Sequence, residues 1–177
     1  MAKFAIGAAL ALGVAASTSL ATSATAQEEP RRGGTVVVHV VAEQRILNPA
    51  QRASTGVYVF TGKIMEPLVD LSYDGFEPVL ATDWYSNDDG TRITFELREG
   101  VRWHDGEPFT CDDVAFTAME MWKEILNYGS TLQQNLEAVE CPDPHTAVFV
   151  YSAPMPLNLL LRAMPDLGHP APKHLFD

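Results

Sequence analysis

The clearest structural pattern in the chain lies in DGTRITFELREGVRWHDGEPFT, residues 89–110. Ile93, Phe95 and Leu97 occupy every second position, with polar residues between them, which predicts a strand that buries one face. The preceding Asp88-Asp89-Gly90 is typical of a hairpin turn. The segment therefore predicts a strand that is entered through a tight turn and followed by loops.

A helix is expected to begin directly after this segment, at Thr110. The Thr110 hydroxyl can accept a hydrogen bond from the backbone N–H three residues on, and Asp113 partly supplies the reciprocal acid of a capping box. The helix is expected to end at Asn127–Gly129. Its apolar side chains recur at helical spacing and predict a face packed on the core; they are Ala115, Met119, Trp122 and Leu126.

Further elements are predicted on both sides of this region. Residues 35–41 form a β-branched run, which predicts a strand buried on both faces. Pro67 is expected to end a helix that carries Val57, Phe60, Ile64 and Met65, and residues 68–71 resemble a short strand. A final strand is predicted at 146–151 and a short apolar helix at 157–164.

Charge and composition exclude some classes of function. The 177 residues include 12 Lys and Arg against 23 Asp and Glu, for a net charge of −11. Sequence-independent nucleic-acid binding requires a cationic face, so the chain is expected not to bind nucleic acid. The same acidity argues against docking on an anionic membrane surface. Hydrophobic residues make up 46% of the chain, an ordinary value for a folded globular protein.

The first 26 residues have the organisation of an export signal. Lys3 precedes an apolar run of about 13 residues, which is shorter than the ~20 residues that a bilayer span requires. Ala24-Thr25-Ala26 provides a small-x-small cleavage pattern. We therefore predict a signal peptide at 1–26, a disordered leader at 27–34 and a folded domain at 35–177. The alternative interpretation is a short amino-terminal membrane anchor.

Two cysteines, Cys111 and Cys141, are the only ones in the sequence. An even number of cysteines in an exported protein favours a disulfide, and two separate buried thiols are the alternative. No CxxC or CxxxH spacing accompanies them, so no metal site is predicted.

The sequence carries none of the common catalytic motifs. GxSxG, HExxH and P-loop patterns are absent. His169 and His174 share no regular face, because two prolines lie between them. His104 and Asp105 would point to opposite faces of a strand and make no dyad there. No catalytic residue is assigned and the chain is expected not to be an enzyme, although an exported hydrolase using Asp and Glu remains the alternative.

Residues 89–110, together with Asp112–Phe116, closely resemble the signature of family 5 extracellular solute-binding proteins. These are the periplasmic dipeptide-, oligopeptide- and nickel-binding components of ABC importers. The resemblance covers 33–177, essentially all of the chain that would follow the export signal. Further segments fall in the family's order, namely Gly33–Thr35, Leu47–Pro49, Glu66–Val69, Pro78–Trp84, Thr146–Phe149 and Pro172–His174.

The resemblance implies an α/β fold of the periplasmic-binding-protein type II kind, here a partial first lobe with a mixed sheet, a hairpin and flanking helices. It implies a periplasmic monomer without cofactor that binds a solute, first of all a peptide, and delivers it to an inner-membrane ABC permease. Sugars, nickel chelates and opines remain possible ligands. Family members are several times longer, so we expect an amino-terminal fragment that binds solute weakly by itself. An inactive fragment is a further alternative.

Ligand contacts are expected just after the first predicted strand, at Glu43, Gln44 and Arg45. Open α/β sheets place their ligands where the chain leaves the end of a core strand. These polar side chains suit the charged ends and amides of a peptide. The signature is interpreted as scaffold, in which His104 and Asp105 tie a loop together.

Overall fold

The computed structural model describes residues 33–39, 59–125, 127–167 and 169–176, excluding the side chains of residues 127 and 128. The chain divides into two compact units, 1–38 and 39–177. The predicted signal peptide and the predicted ligand contacts at 43–45 lie outside the described residues. No helix among the described residues is long and apolar enough to cross a membrane.

Strands and helices of the second unit begin after a helical turn at residues 59–61. The strands are β1 (Val69–Ser72), β2 (Gly75–Pro78), β3 (Ala81–Ser86), β4 (Arg92–Leu97), β5 (Leu136–Asp143) and β6 (Thr146–Tyr151). The helices are α1 (Cys111–Phe116), which continues as a π-helical turn (Thr117–Trp122), α2 (Asn127–Leu132) and α3 (Leu157–Leu167). A 3-10 turn follows at Lys173–Leu175.

The core is built on a four-stranded sheet in the order β3-β4-β6-β5. β4 lies beside β6 with Ile93 opposite Phe149, and both side chains are fully buried. The rings of Phe95 and Phe149 meet edge to face with centroids 5.3 Å apart, and Trp122 stacks on Phe149 at 6.5 Å. The predicted hairpin turn and the predicted burial of one face of β4 are confirmed.

The sheets contain only antiparallel pairs among the described residues, where β1 and β2 form a separate hairpin. The expected α/β architecture with a hairpin and flanking helices is confirmed, but the pairing seen here is antiparallel instead of mixed. Short connections explain this for β1–β2, β3–β4 and β5–β6, because a parallel pair needs a crossover of a dozen or more residues. β4 and β6 also pair antiparallel, although they lie far apart in the chain.

Helix α1 begins where the sequence predicts, and the Thr110 N–H donates to Asp113 Oδ2 over 2.9 Å. The buried face is nevertheless displaced from the predicted one, since Ala115 and Met119 are only half-buried. Two adjacent apolar stripes were available, and periodicity alone could not choose between them. The stripe that faces the sheet consists of Cys111, Val114, Ala118 and Trp122.

In the region that follows, one expectation is wrong and one strand was not predicted. The chain does not leave helical structure at 127–129, because α2 begins there, and the Gln133 N–H donates to Gly129 O over 2.7 Å. Strand β5 was missed because Pro142 looks like a strand breaker. Pro142 is tolerated because β5 is an edge strand with irregular register.

The valine run does not form the predicted strand. Residues 33–39 have no regular secondary structure, and Val36 and Val37 are 86% and 90% exposed. A strand is held by hydrogen bonds to a neighbouring strand, and none of the described pairings includes this run. The prediction of burial on both faces is therefore wrong for 35–39, while residues 40 and 41 lie outside the described residues.

Elements at the end of the second unit agree with the sequence pattern. β6 has the predicted bounds, and α3 extends the predicted helix by one turn. Leu160, Leu161 and Met164 on α3 are buried against the core. This packing places the segment after α3 beside helix α1.

Candidate functional site

A groove of about 470 Å³ lies between the turn at 62–66, the loop at 101–109 and Pro170. Its volume falls within the range of sites for small ligands. The lining is mostly apolar, with charged groups among it: Gly62, Lys63, Ile64, Met65, Glu66, Leu80, Val101, Arg102, Trp103, His104, Phe109 and Pro170.

One wall of the groove is residues 101–109, here called the signature loop. The backbone N–H of Trp103 donates to Glu107 O over 2.8 Å, and the Gly106 N–H donates to Trp103 O over 2.9 Å. Gly106 has φ +97°, a backbone conformation that favours glycine. Arg102 Nη1 donates to Gly106 O over 2.8 Å, so the backbone of the loop is closed on itself.

Asp113 fixes the signature loop to helix α1. This carboxylate is buried, and its Oδ2 accepts from Trp103 Nε1 over 3.1 Å as well as from the Thr110 N–H. Its Oδ1 accepts from the Lys173 N–H over 2.9 Å. One side chain therefore joins the loop, the helix start and the segment at 169–176, which we call the strap.

The strap is held by further contacts with helix α1 and its π-helical continuation. Thr117 Oγ1 donates to Asp113 O over 2.6 Å and accepts from the Ala171 N–H over 2.8 Å. The ring centroids of Phe116 and Phe176 lie 5.5 Å apart. These contacts bring Pro170 to the edge of the groove.

An ion pair connects the signature loop directly to the strap. His174 Nε2 lies 2.7 Å from Asp105 Oδ2, and Asp105 Oδ1 accepts from the Glu107 N–H over 3.1 Å. The hydrogen bond from His174 lowers the pKa of Asp105, and the same bond raises the pKa of His174. The interpretation of Asp105 as a residue that ties a loop together agrees with these contacts, whereas His104 is exposed and lines the groove.

The second histidine of this region has a different environment. His169 is buried, and that burial lowers the pKa of its imidazole. Within the described ranges, no group of three or more His, Cys, Asp or Glu side chains is arranged to hold a metal ion. The groove therefore offers apolar contacts and charged groups to a solute.

The two cysteines lie at the start of α1 and in β5. Cys111 and Cys141 are joined by a disulfide with a Cα–Cα distance of 5.7 Å, which links the first turn of α1 to β5. Thr110, Asp112, Asp143 and Pro144 surround this bond in a smaller pocket.

The proposed contacts Glu43, Gln44 and Arg45 lie outside the described residues and stay a prediction. Sequence reasoning missed the groove, because its walls come from three segments far apart in the chain. The sequence signals that fall on it are family-like segments: 66–69, 78–84 and 89–110 contribute residues to its walls, and 172–174 follows Pro170 in the strap.

A comparison with protein families matches residues 75–176, more than half of the chain, to the family described as bacterial extracellular solute-binding proteins, family 5 Middle. The match includes β4, the signature loop, α1 and the strap. It therefore covers two of the three walls of the groove.

Curated relatives are similar over shorter stretches. The "Probable peptide ABC transporter periplasmic-binding protein" of Sinorhizobium fredii is 34% identical over 83 residues, which is 47% of this chain and 15% of that protein. The "Periplasmic alpha-galactoside-binding protein" of Rhizobium meliloti is 44% identical over 52 residues, 28% of this chain and 8% of that protein.

Among solved structures, the oligopeptide-binding protein AppA of Bacillus subtilis in complex with a nonapeptide superimposes with a TM-score of 0.71 at 24% identity. The match covers 84% of this chain and 29% of that one, and at this identity it shows the fold. The chain spans less than a third of the length of each of these three proteins.

Proposed function

The chain belongs to the bacterial extracellular solute-binding proteins of family 5, and on this basis we propose that it takes part in capturing a peptide or similar small solute in the periplasm. The observation that carries the proposal is the match over residues 75–176, since it contains the signature loop and the strap. A peptide is the first choice of ligand because the Sinorhizobium relative is named for peptide transport. The galactoside-binding relative makes a sugar the second choice.

We propose that the captured solute is delivered to an inner-membrane ABC permease. By analogy with the family, solute binds between two lobes, the lobes close by hinge motion, and the closed monomer docks on the permease. The chain would contribute residues of one lobe. No chemical change of the solute is needed for this task.

Four of the carboxylates that could serve a hydrolase have structural partners in the fold. Asp113 and Asp105 hold the signature loop, as described above. Asp89 accepts hydrogen bonds from Thr91, and Asp143 accepts from the His145 N–H. These partners give each carboxylate a structural role, which supports a binding protein over an enzyme.

Solute binding without turnover is the test of this proposal. The protein is titrated by calorimetry with a mixed tripeptide library and, separately, with an α-galactoside. The ligands are then recovered, and their masses are measured by mass spectrometry. Weak heat of binding with peptides of unchanged mass is the expected result. Cleaved peptides would instead show that the protein is a hydrolase. Binding of the galactoside alone would show that its ligand is a sugar and not a peptide.

The predicted contacts Glu43, Gln44 and Arg45 are proposed as part of the ligand site. In a full-length relative carrying this segment, Glu43→Ala should weaken peptide binding while the unliganded protein keeps its melting temperature. Unchanged affinity would remove Glu43 from the site.

Export is proposed to end with cleavage between Ala26 and Gln27. Amino-terminal sequencing of protein from the periplasmic fraction should begin at Gln27, because Ala24-Thr25-Ala26 follows the apolar run. A membrane-bound form that retains Met1 would support the anchor interpretation instead.

A further inference from the structure

An ion pair joins two parts of the fold that lie 69 residues apart in sequence, at Asp105 and His174. Asp105 is on the signature loop and His174 is on the strap, and both segments contribute walls of the groove. We propose that this pair is a pH-dependent clasp, which holds the strap against the signature loop when His174 is protonated and releases it when His174 is neutral.

The geometry suits a clasp that responds to solvent. The two side chains are 34% and 41% exposed, so His174 can exchange its proton with water while Nε2 remains 2.7 Å from Asp105 Oδ2. Asp105 is held in place from its other oxygen by the Glu107 N–H. A neutral imidazole can keep a hydrogen bond to the carboxylate, but it loses the attraction between opposite charges.

The acidic groups that face His174 favour its protonated form. Asp105 makes the direct contact, and the carboxylates of Glu107 and Asp113 add negative potential from the signature loop and from α1. Lys173 precedes His174 in the same 3-10 turn. The excess of acidic groups agrees with the raised pKa of His174.

The direction of the pH effect follows from these pKa shifts. His174 has a raised pKa in the folded protein, so its contribution to stability is complete below the ordinary value of about 6.5 and is lost as pH rises through the raised value. Asp105 has a lowered pKa, so its contribution is present above the ordinary value and is lost as pH falls through the lowered one. The clasp is closed between these limits.

Other contacts restrict the release to one end of the strap. The Ala171 N–H remains bonded to Thr117 Oγ1, and the Lys173 N–H remains bonded to Asp113 Oδ1. Loosening therefore begins at His174 and extends to Phe176. On the signature loop the loosening reaches Trp103, because the backbone N–H of Trp103 donates to Glu107 O.

The first experiment is a histidine titration by NMR on the full chain and on Asp105→Asn. His174 should titrate above pH 6.5 in the unmodified protein and at a distinctly lower pH in the variant. Asp143→Asn is the matched control, since Asp143 is also an aspartate beside a histidine, accepting from the His145 N–H in the β5–β6 turn. Equal titration of His174 in the unmodified protein and Asp105→Asn would overturn the clasp.

The second experiment tests whether protonation is transmitted to the strap and the groove. Amide exchange at Leu175 and Phe176, whose N–H groups donate to Pro172 O and Lys173 O, is followed from pH 5 to 8. After correction for intrinsic exchange, it should rise severalfold in the unmodified protein, and the Trp103 indole resonance should shift with the same midpoint. His174→Gln should abolish both responses. A rise that persists in His174→Gln, or an unmoved Trp103 resonance, would refute the proposal.

Discussion

Of two runs of β-forming residues in this chain, one forms a buried strand and the other is exposed and forms none. Val36, Val37 and Val38 are exposed and belong to no strand. Ile93 and Phe95, in β4, are fully buried in the core, and β4 pairs with β3 on one side and with β6 on the other. The valine run has the more β-prone composition, yet only β4 is a strand.

The difference shows that β propensity measures the fit of a side chain to a packed, pleated surface rather than a preference of the isolated backbone. β4 is entered through the Asp88–Gly90 turn, which places β3 beside it at once. The other neighbour, β6, begins 49 residues after β4 ends, and the disulfide holds β5 and α1 together in the intervening chain. The valine run has no such neighbour among the described residues.

Amide hydrogen exchange should separate the two runs by the largest margin. Backbone amides of Ile93–Leu97 are expected to exchange at least about 10³-fold more slowly than in an unstructured peptide, because core strands open only with the whole domain. Amides of Val36–Val38 should exchange at nearly the unstructured rate. Equal protection of both runs, measured by mass spectrometry of peptic fragments, would show that the valine run is paired.

Truncation of apolar side chains should give the next largest difference. Phe149→Ala removes a fully buried ring that packs on Phe95 and Trp122, and should lower the free energy of unfolding by about 3–5 kcal/mol. Val37→Ala is the matched control, and should change it by less than about 0.5 kcal/mol. Urea unfolding of both variants provides the measurement, and a large loss in Val37→Ala would contradict the comparison.

Loss of the disulfide should follow closely in size. Replacing Cys111 and Cys141 together with Ser is expected to destabilise the protein by about 3–4 kcal/mol, because a loop of 30 residues is freed in the unfolded chain. In the unmodified protein, reduction of the disulfide should raise the intact mass by two hydrogens. Thiols that react with maleimide in the unreduced, denatured protein would show that the bond is absent in solution.

The smallest of these effects is expected at Asp113. Asp113→Ala leaves the N–H groups of Trp103, Thr110 and Lys173 without their acceptor, which should cost about 1–3 kcal/mol. The neighbouring Asp112→Ala is a sharp control, since Asp112 is exposed in the same helical turn. Equal melting temperatures for the two variants would mean that Asp113 does not join the loop and the strap.

Signals confined to a few neighbouring residues predicted the fold well. The turn at 88–90, the alternation in β4, the start of α1 and the apolar helix α3 were all predicted from the sequence. Each depends on backbone geometry and side-chain spacing over one or two turns. The buried face of α1 was displaced by one position, because two apolar stripes lay side by side and contacts with the sheet chose between them.

By itself, the sequence determined the family, through a long motif whose residues adjoin one another, and the local elements that the motif specifies. Only the tertiary structure decided which β-prone run is a strand, since a strand requires hydrogen-bonding neighbours from elsewhere in the chain. It also decided the groove and the Asp105–His174 pair, whose parts are separated by tens of residues. Such contacts form because burial of the core brings distant segments together, and periodicity along the chain carries no information about that distance.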